Sequence, residues 1–308
     1  MPAIDTAGRD RLRALLGPVG VWLTLLGLRS AEQERAAAAR IEQLGYPALW
    51  FGETPVNKEA FVHAGILLAA TERIAVATGI ANIYARDPAA MNAAANALEE
   101  AYPGRFVLGI GVSHAPAVAQ RGHVYGKPVT AMRDYLDALD ETRYLAPAPD
   151  PAPPLVLAAL RRRMLRLGRD RAHGVHPYLV TPAHTARARA VLGPEPVLAP
   201  EQGVVLEADP GKARAIAREH LTNYLKLPNY TNSWREDGFG DADFADGGSD
   251  RLVDALIAWG DADAIAARVR AHHAAGADHV CVQPVIRDLD RAMAEVEALA
   301  PVLLTPTA

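Results

Sequence analysis

The sequence predicts an α/β fold, a (β/α)8 barrel of the TIM type built as a single domain over residues 1–308. Three observations predict it. Short apolar runs alternate with longer helical patterns, as a parallel sheet covered by helices requires. The early strands recur at roughly the 30-residue spacing of a strand–helix–strand unit, and the short turns of antiparallel hairpins are missing between them. Eight such units within 308 residues favour a barrel over a doubly wound sheet.

The elements follow in order. Residues 19–25, VGVWLTL, read as the first strand. A helix follows, with Ser30 as cap, Gln33 three residues on and Gly45 as stop, the pattern of a capping box and a glycine terminator. Residues 47–51 form the second strand, with the helical stretch NKEAFVHAGILLAAT behind it. Residues 74–80 form the third; its helix starts with Asp87 as cap and Pro88 at the first helical position. Residues 105–111 form the fourth. An insertion at about 112–153 carries one helix, about 128–144, and the stiff connection APAPDPAPP. Residues 155–160, 174–180, 203–207 and 279–285 supply strands five to eight. Their helices lie near 162–173, 184–192, 211–225 and 289–299. A second insertion, about 208–278, holds a polar, aromatic and glycine-rich stretch, LPNYTNSWREDGFGDADFADGGSD. It reads as a cover for the barrel mouth or as a plain surface insertion.

Composition narrows the function classes. A formal net charge of -4 argues against a broad basic surface for nucleic acid. The one cysteine, Cys281, permits no intrachain disulfide and lies in an apolar run, where a buried inert thiol is expected. The N-terminal residues mix acids and arginines, unlike a signal peptide. No run approaches the ~18 apolar residues of a membrane span. A cytoplasmic protein with a small-molecule substrate is the expectation.

In a barrel of this type active sites sit at the C-terminal ends of the strands. The strand endings therefore supply the candidates: Glu53 after strand two; Gly79, Ile80 and Asn82 after strand three; Gly111, Ser113 and His114 after strand four; Arg161 after strand five; Thr181 after strand six. Glu53 reads as a general base, a ligand-binding acceptor or a solvated loop acid. His114 follows a glycine-rich turn that a flat cofactor can approach. Ser113 serves either a ligand or the turn. Other signatures fail. GIGVSH lacks the third glycine of a dinucleotide fingerprint, and GVSHA lacks the second glycine of a nucleophile elbow. No carboxylate completes a metal set with His173, His176 and His184, so no metal site is expected.

Arg161, Arg162 and Arg163 stand where a strand hands over to a helix. Cations at a helix N-terminus oppose the helix dipole, at about 0.3–1 kcal/mol each. An anion there relieves the conflict and meets unpaired backbone N–H groups. Successive helical residues point ~100° apart, so one or two of the three reach a single anion; a solvated helix turn is the alternative.

GYPALWFGE, IAVATGIANIYARDPAAMNAAANALEEAYPGRFVLGIGVSHAP, YGKPVTAMRDYLDALD and AHGVHPYLVTPAHTARAR together resemble the bacterial-luciferase-like flavin or deazaflavin oxidoreductases. The resemblance runs over residues 18–299 and is nearest the coenzyme F420-dependent branch. It implies a luciferase-like barrel, F420 or alternatively FMN across the C-terminal mouth, and a homodimer. It also implies a non-proline cis peptide at Gly79–Ile80 behind the cofactor, Gly111, Ser113 and His114 along the cofactor edge, and the cofactor phosphate at the turn after strand five. Related sequences commonly carry a small or Gly-Pro turn there; this chain carries Arg161 and Arg162. The implied function is hydride transfer between F420 and a small organic substrate, with His114 and Glu53 the catalytic candidates, for proton handling or cofactor hydrogen bonding. An FMN-dependent monooxygenase and a non-redox ligand-binding barrel are the alternatives.

Overall fold

The computed structural model describes residues 4–305. Parallel strands run in the predicted sequence: Val19–Trp22, Ala48–Phe51, Ala75–Thr78, Phe106–Gly111, Leu155–Ala158 and Gly174–His176, each paired to the next. Closure falls to the seventh strand, which is split. Val197–Leu198 pairs with the sixth strand, and Glu201–Val205 pairs with the eighth, Val280–Pro284, which in turn pairs with the first. Residues 197–205 are one continuous segment, so the two pairings join the edges of the sheet. The sequence reading starts this strand at residue 203. Pro196 and Pro200 look like strand breakers, and Glu201 and Gln202 look like loop residues, yet both are buried.

Side chains alternate along each strand between the interior and the helical layer. Ala48, Trp50, Ala75, Ala77, Val107, Val156 and Ala199 fill the inside, whereas Leu49, Phe51 and Val76 pack under the helices. An N-terminal helix not foreseen from the sequence, Thr6–Leu16, closes the lower end, and its Leu12 and Leu16 join the interior cluster.

The second insertion differs from expectation. The helix expected near 211–225 is Pro210–Leu221, but it does not serve as the seventh barrel helix. It packs with Pro228–Glu236 and Asp250–Leu256 around Ala217, Trp234 and Leu252 as a satellite core. The helix Ala262–Ala274 takes the barrel position, touching both Pro182–Leu192 and Leu289–Leu303. A short strand, Ile257–Trp259, adds to the seventh strand. Among the described residues no helix is long and apolar enough to cross a membrane.

Candidate active site

The strand ends open into a cavity of about 750 Å³. Its floor is shaped by two glycines at the ends of strands two and three. A Cβ on Gly52 would lie 3.1 Å from the Trp22 ring, and one on Gly79 would lie 2.5 Å from Trp22 Nε1. Both glycines make room for the indole. The Gly79–Ile80 peptide is cis, as the resemblance implies. It separates the third strand from the two-residue strand Ala81–Asn82, which pairs with strand four.

Glu53, Gly79, Ile80, Ser113, His114 and the three arginines all line this cavity. Asn82, Gly111 and Thr181 do not. The Asn82 side chain is buried and accepts a hydrogen bond from the Tyr84 N–H at 2.9 Å. Gly111 is a packing position: a Cβ there would lie 2.6 Å from the Ile80 side chain. Thr181 caps the helix Pro182–Leu192 by accepting from the His184 N–H, and its hydroxyl donates to Asp237 at 3.0 Å.

Glu53 is committed. Its Oε2 accepts from the Asn82 N–H at 2.8 Å and from Arg86 Nη1 at 3.0 Å, and its Oε1 accepts from Arg86 Nη2. Arg86 also donates to Glu59 at 2.7 Å and lies over the Phe61 ring. Burial opposes the Arg86 charge, but the two carboxylates outweigh it and hold its pKa above the usual value. Glu53 thereby braces the third strand's end through the Asn82 N–H and Arg86.

His114 is half-buried, and its Nδ1 has no partner among the described residues. Burial lowers its pKa against the opposing influence of Asn229, so the ring is neutral near pH 7. Ser113 adopts a φ of 56° and its carbonyl accepts from the Tyr125 hydroxyl at 3.2 Å, the role of a turn-former.

Arg161 precedes the helix Arg162–Arg171, which has no acidic residue in its first turn. The three arginines are exposed and make no ion pair among the described residues. Lys127 stands on the same rim. The opposite wall is aromatic and comes from residues the sequence reading did not single out. Trp22, Tyr178, Tyr224 and Tyr230 form a run with centroid separations of 5.2, 5.6 and 5.1 Å. Tyr230 also meets His114 at 5.4 Å and Trp234 at 5.8 Å. The helix Pro228–Glu236 brings Asn229, Tyr230 and Glu236 of the polar, aromatic stretch to the cavity lining, and its interleaved aromatics were the available signal.

A family model described as luciferase-like monooxygenase matches residues 15–279. This chain belongs to that family. A Mycobacterium tuberculosis protein provisionally described as a coenzyme F420-dependent oxidoreductase is 27% identical over 121 residues; the match spans 39% of this chain and 34% of that relative. Among solved structures, the fold is shared with an F420-dependent secondary alcohol dehydrogenase in complex with an F420-acetone adduct (TM-score 0.74, 14% identity, 93% of this chain and 99% of that one). The Methanopyrus kandleri coenzyme F420 dependent tetrahydromethanopterin reductase superposes with TM-score 0.70 at 16% identity, over 94% and 98% of the two chains. The oxygenating constituent of the Pseudomonas putida 3,6-diketocamphane monooxygenase, solved with FMN, gives 0.71 at 17% identity over 95% and 100%.

Proposed function

We propose that this luciferase-like barrel transfers a hydride between coenzyme F420 and a small organic substrate held in the mouth cavity. The observation that carries the reading is the cationic end of that cavity. Arg161, Arg162 and Arg163 gather at a helix start with no ion-pair partner among the described residues, an arrangement that an anion stabilises. F420 and FMN both carry a phosphate suited to this end. F420 adds carboxylates beyond the phosphate, and three arginines with Lys127 offer more positive charge than one phosphate uses. The F420 descriptions of the M. tuberculosis relative and of two fold neighbours support the same choice.

The residues fit such a group. The bare Gly79 lets the Trp22 indole lie against the floor, where any side chain would displace it, and the aromatic wall offers an apolar face to a ring. When bound, the cofactor supplies the centre that exchanges the hydride. The chain's own residues bind, orient and move protons. Arg161 and Arg162 hold the phosphate, with Arg163 on the outer side. Gly79, Ile80, Ser113 and His114 border the ring. The neutral His114, which lines the cavity, handles the substrate proton. Glu53 acts through Arg86 and the Asn82 backbone as a positioning residue. A homodimer belongs to the same reading.

A second reading, an FMN-dependent monooxygenase, is favoured by the aromatic wall, since an oxygenating site requires a dry pocket. Titration of the purified chain with F420 and with FMN, followed by fluorescence quenching, separates the two. Micromolar F420 binding is expected. Tight FMN binding without F420 binding would transfer the assignment to the monooxygenase, and binding of neither would leave a non-redox ligand-binding barrel.

A further inference from the structure

Two buried nitrogens on the cavity floor lack partners and converge on one point. Trp22 is 4% exposed and His176 is 2% exposed, and both line the cavity. Neither Trp22 Nε1 nor His176 Nε2 has a hydrogen-bond partner among the described residues. A Cβ built on Gly79 would lie 2.5 Å from the first and 3.3 Å from the second. Both nitrogens therefore lie beside the Gly79 backbone, the indole nitrogen in the space that a side chain would take.

Their hydrogen-bonding characters are complementary. An indole nitrogen only donates. The other His176 nitrogen, Nδ1, lies 2.7 Å from the Ala199 carbonyl oxygen, which only accepts. Nδ1 therefore carries the proton and Nε2 presents a lone pair. The ring is held in place by stacking on Trp50, with centroids 4.7 Å apart and an interplanar angle of 18°. Burial pushes its pKa down to about 4, so it stays neutral at physiological pH. Buried polar atoms are rarely left without partners, and one that is calls for an explanation. A pair of opposite character at the foot of a ligand cavity has a direct one.

The geometry points to Trp22 Nε1–H and His176 Nε2 as a donor–acceptor fork that receives one ligand group able both to accept and to donate. Two sources present that chemistry. One is a lactam edge, C=O beside N–H, such as the pyrimidine ring of a flavin or deazaflavin. The other is a hydroxyl on the organic substrate, accepting from the indole through oxygen and donating its proton to the imidazole. A ketone or an ether satisfies only Trp22. The first source rests on the cofactor reading above; the second requires only that the cavity take an alcohol.

The test follows the Trp22 indole N–H by nuclear magnetic resonance, with its signal assigned by loss in Trp22→Phe. Wild type and His176→Phe are each titrated with F420, FMN, uracil and 2-propanol. A shift of the Trp22 signal in wild type is expected, with apparent affinity at least tenfold weaker in His176→Phe. Shifts with FMN, F420 or uracil alone assign the fork to a lactam edge; a shift with 2-propanol alone assigns it to a substrate hydroxyl. Gly79→Ala, whose methyl would overlap Trp22 Nε1 and displace the indole, should move the Trp22 signal and abolish its response, and provides the assignment if Trp22→Phe does not fold. Absence of a Trp22 response to all four probes overturns the inference. So does a response that His176→Phe leaves unchanged. Fluorescence quenching by F420 and FMN in the same samples reports separately whether the cofactor reading itself fails.

Discussion

Arg86 engages both carboxylate oxygens of Glu53, and both side chains are nearly inaccessible, 9% and 2% exposed. Removing one member of a buried pair strands the other, and such losses cost about 3–5 kcal/mol. Glu59 still holds Arg86, which places Glu53→Ala near the lower end, about 3 kcal/mol. Chemical denaturation should show this fall, and the double variant Glu53→Leu with Arg86→Met should recover much of it. A Glu53→Ala protein of unchanged stability would remove the bracing role assigned here.

The cavity's cationic end predicts a binding defect without a stability defect. Arg161 and Arg162 are exposed and unpaired among the described residues, so replacing both with alanine should change unfolding by no more than about 0.5 kcal/mol. Cofactor affinity should fall about tenfold or more, roughly 1.4 kcal/mol, and its salt dependence should weaken. Isothermal titration at two ionic strengths reads both effects. Unchanged affinity would return the triplet to a solvated helix turn.

Buried histidines set an acid limit on stability. Burial lowers the pKa of His63 and His176 to about 4 and of His272 and His279 to about 3, from an ordinary 6.5. Below pH 6.5 the unfolded chain binds protons that the folded chain refuses, so stability should decline as pH falls from 6.5 toward 4. Glu201 has the opposite sign. Burial raises its pKa to about 8 from 4.5, so its contribution is present at low pH and declines as pH rises from 4.5 through 8. Melting temperatures across this range should pass through a maximum. Glu201→Gln should flatten the alkaline side and leave the acid side in place.

Trp234 ties the satellite core to the barrel. It is 1% exposed, and its indole N–H donates to the Leu179 carbonyl at 3.0 Å. Leu179 holds a φ of 53°, and its own N–H donates to Glu201. Trp234→Ala should cost about 3–5 kcal/mol and loosen the helix that carries Asn229 and Tyr230. Limited proteolysis should then cut within residues 222–248 before the barrel. Resistance equal to wild type would mean that this helix is anchored elsewhere.

Much of the barrel was legible because each strand is a short apolar run and each early helix carries its own start and stop, such as Ser30 with Gln33 and Asp87 with Pro88. The seventh unit was not. Its strand buries Glu201 and Gln202, whose polarity contradicts an inside position; their partners are brought close by the fold, the Leu179 N–H for Glu201 and the His272 ring and Leu256 carbonyl for Gln202. Its helix, Ala262–Ala274, was absorbed into an apparent insertion because Pro210–Leu221 offered an equally good helical pattern closer by. For the candidate site, position at a strand end picked out Glu53, His114 and Arg161, which line the cavity. It could not tell a lining side chain from one turned back into its own turn, as with Asn82 and Thr181. Trp22 and His176 were hidden by their burial, since an aromatic residue within a strand reads as core, and only the fold brings both against Gly79.

The helix Thr6–Leu16 plugs the lower end of the barrel with Leu12 and Leu16, both fully buried. The cavity floor is thereby a dead end, and traffic passes through the mouth alone. Two ligands that share this mouth cannot load independently if one lies beneath the other. The deeper one enters first and leaves last, and steady-state kinetics should show a compulsory order in which excess of the outer ligand traps the inner one.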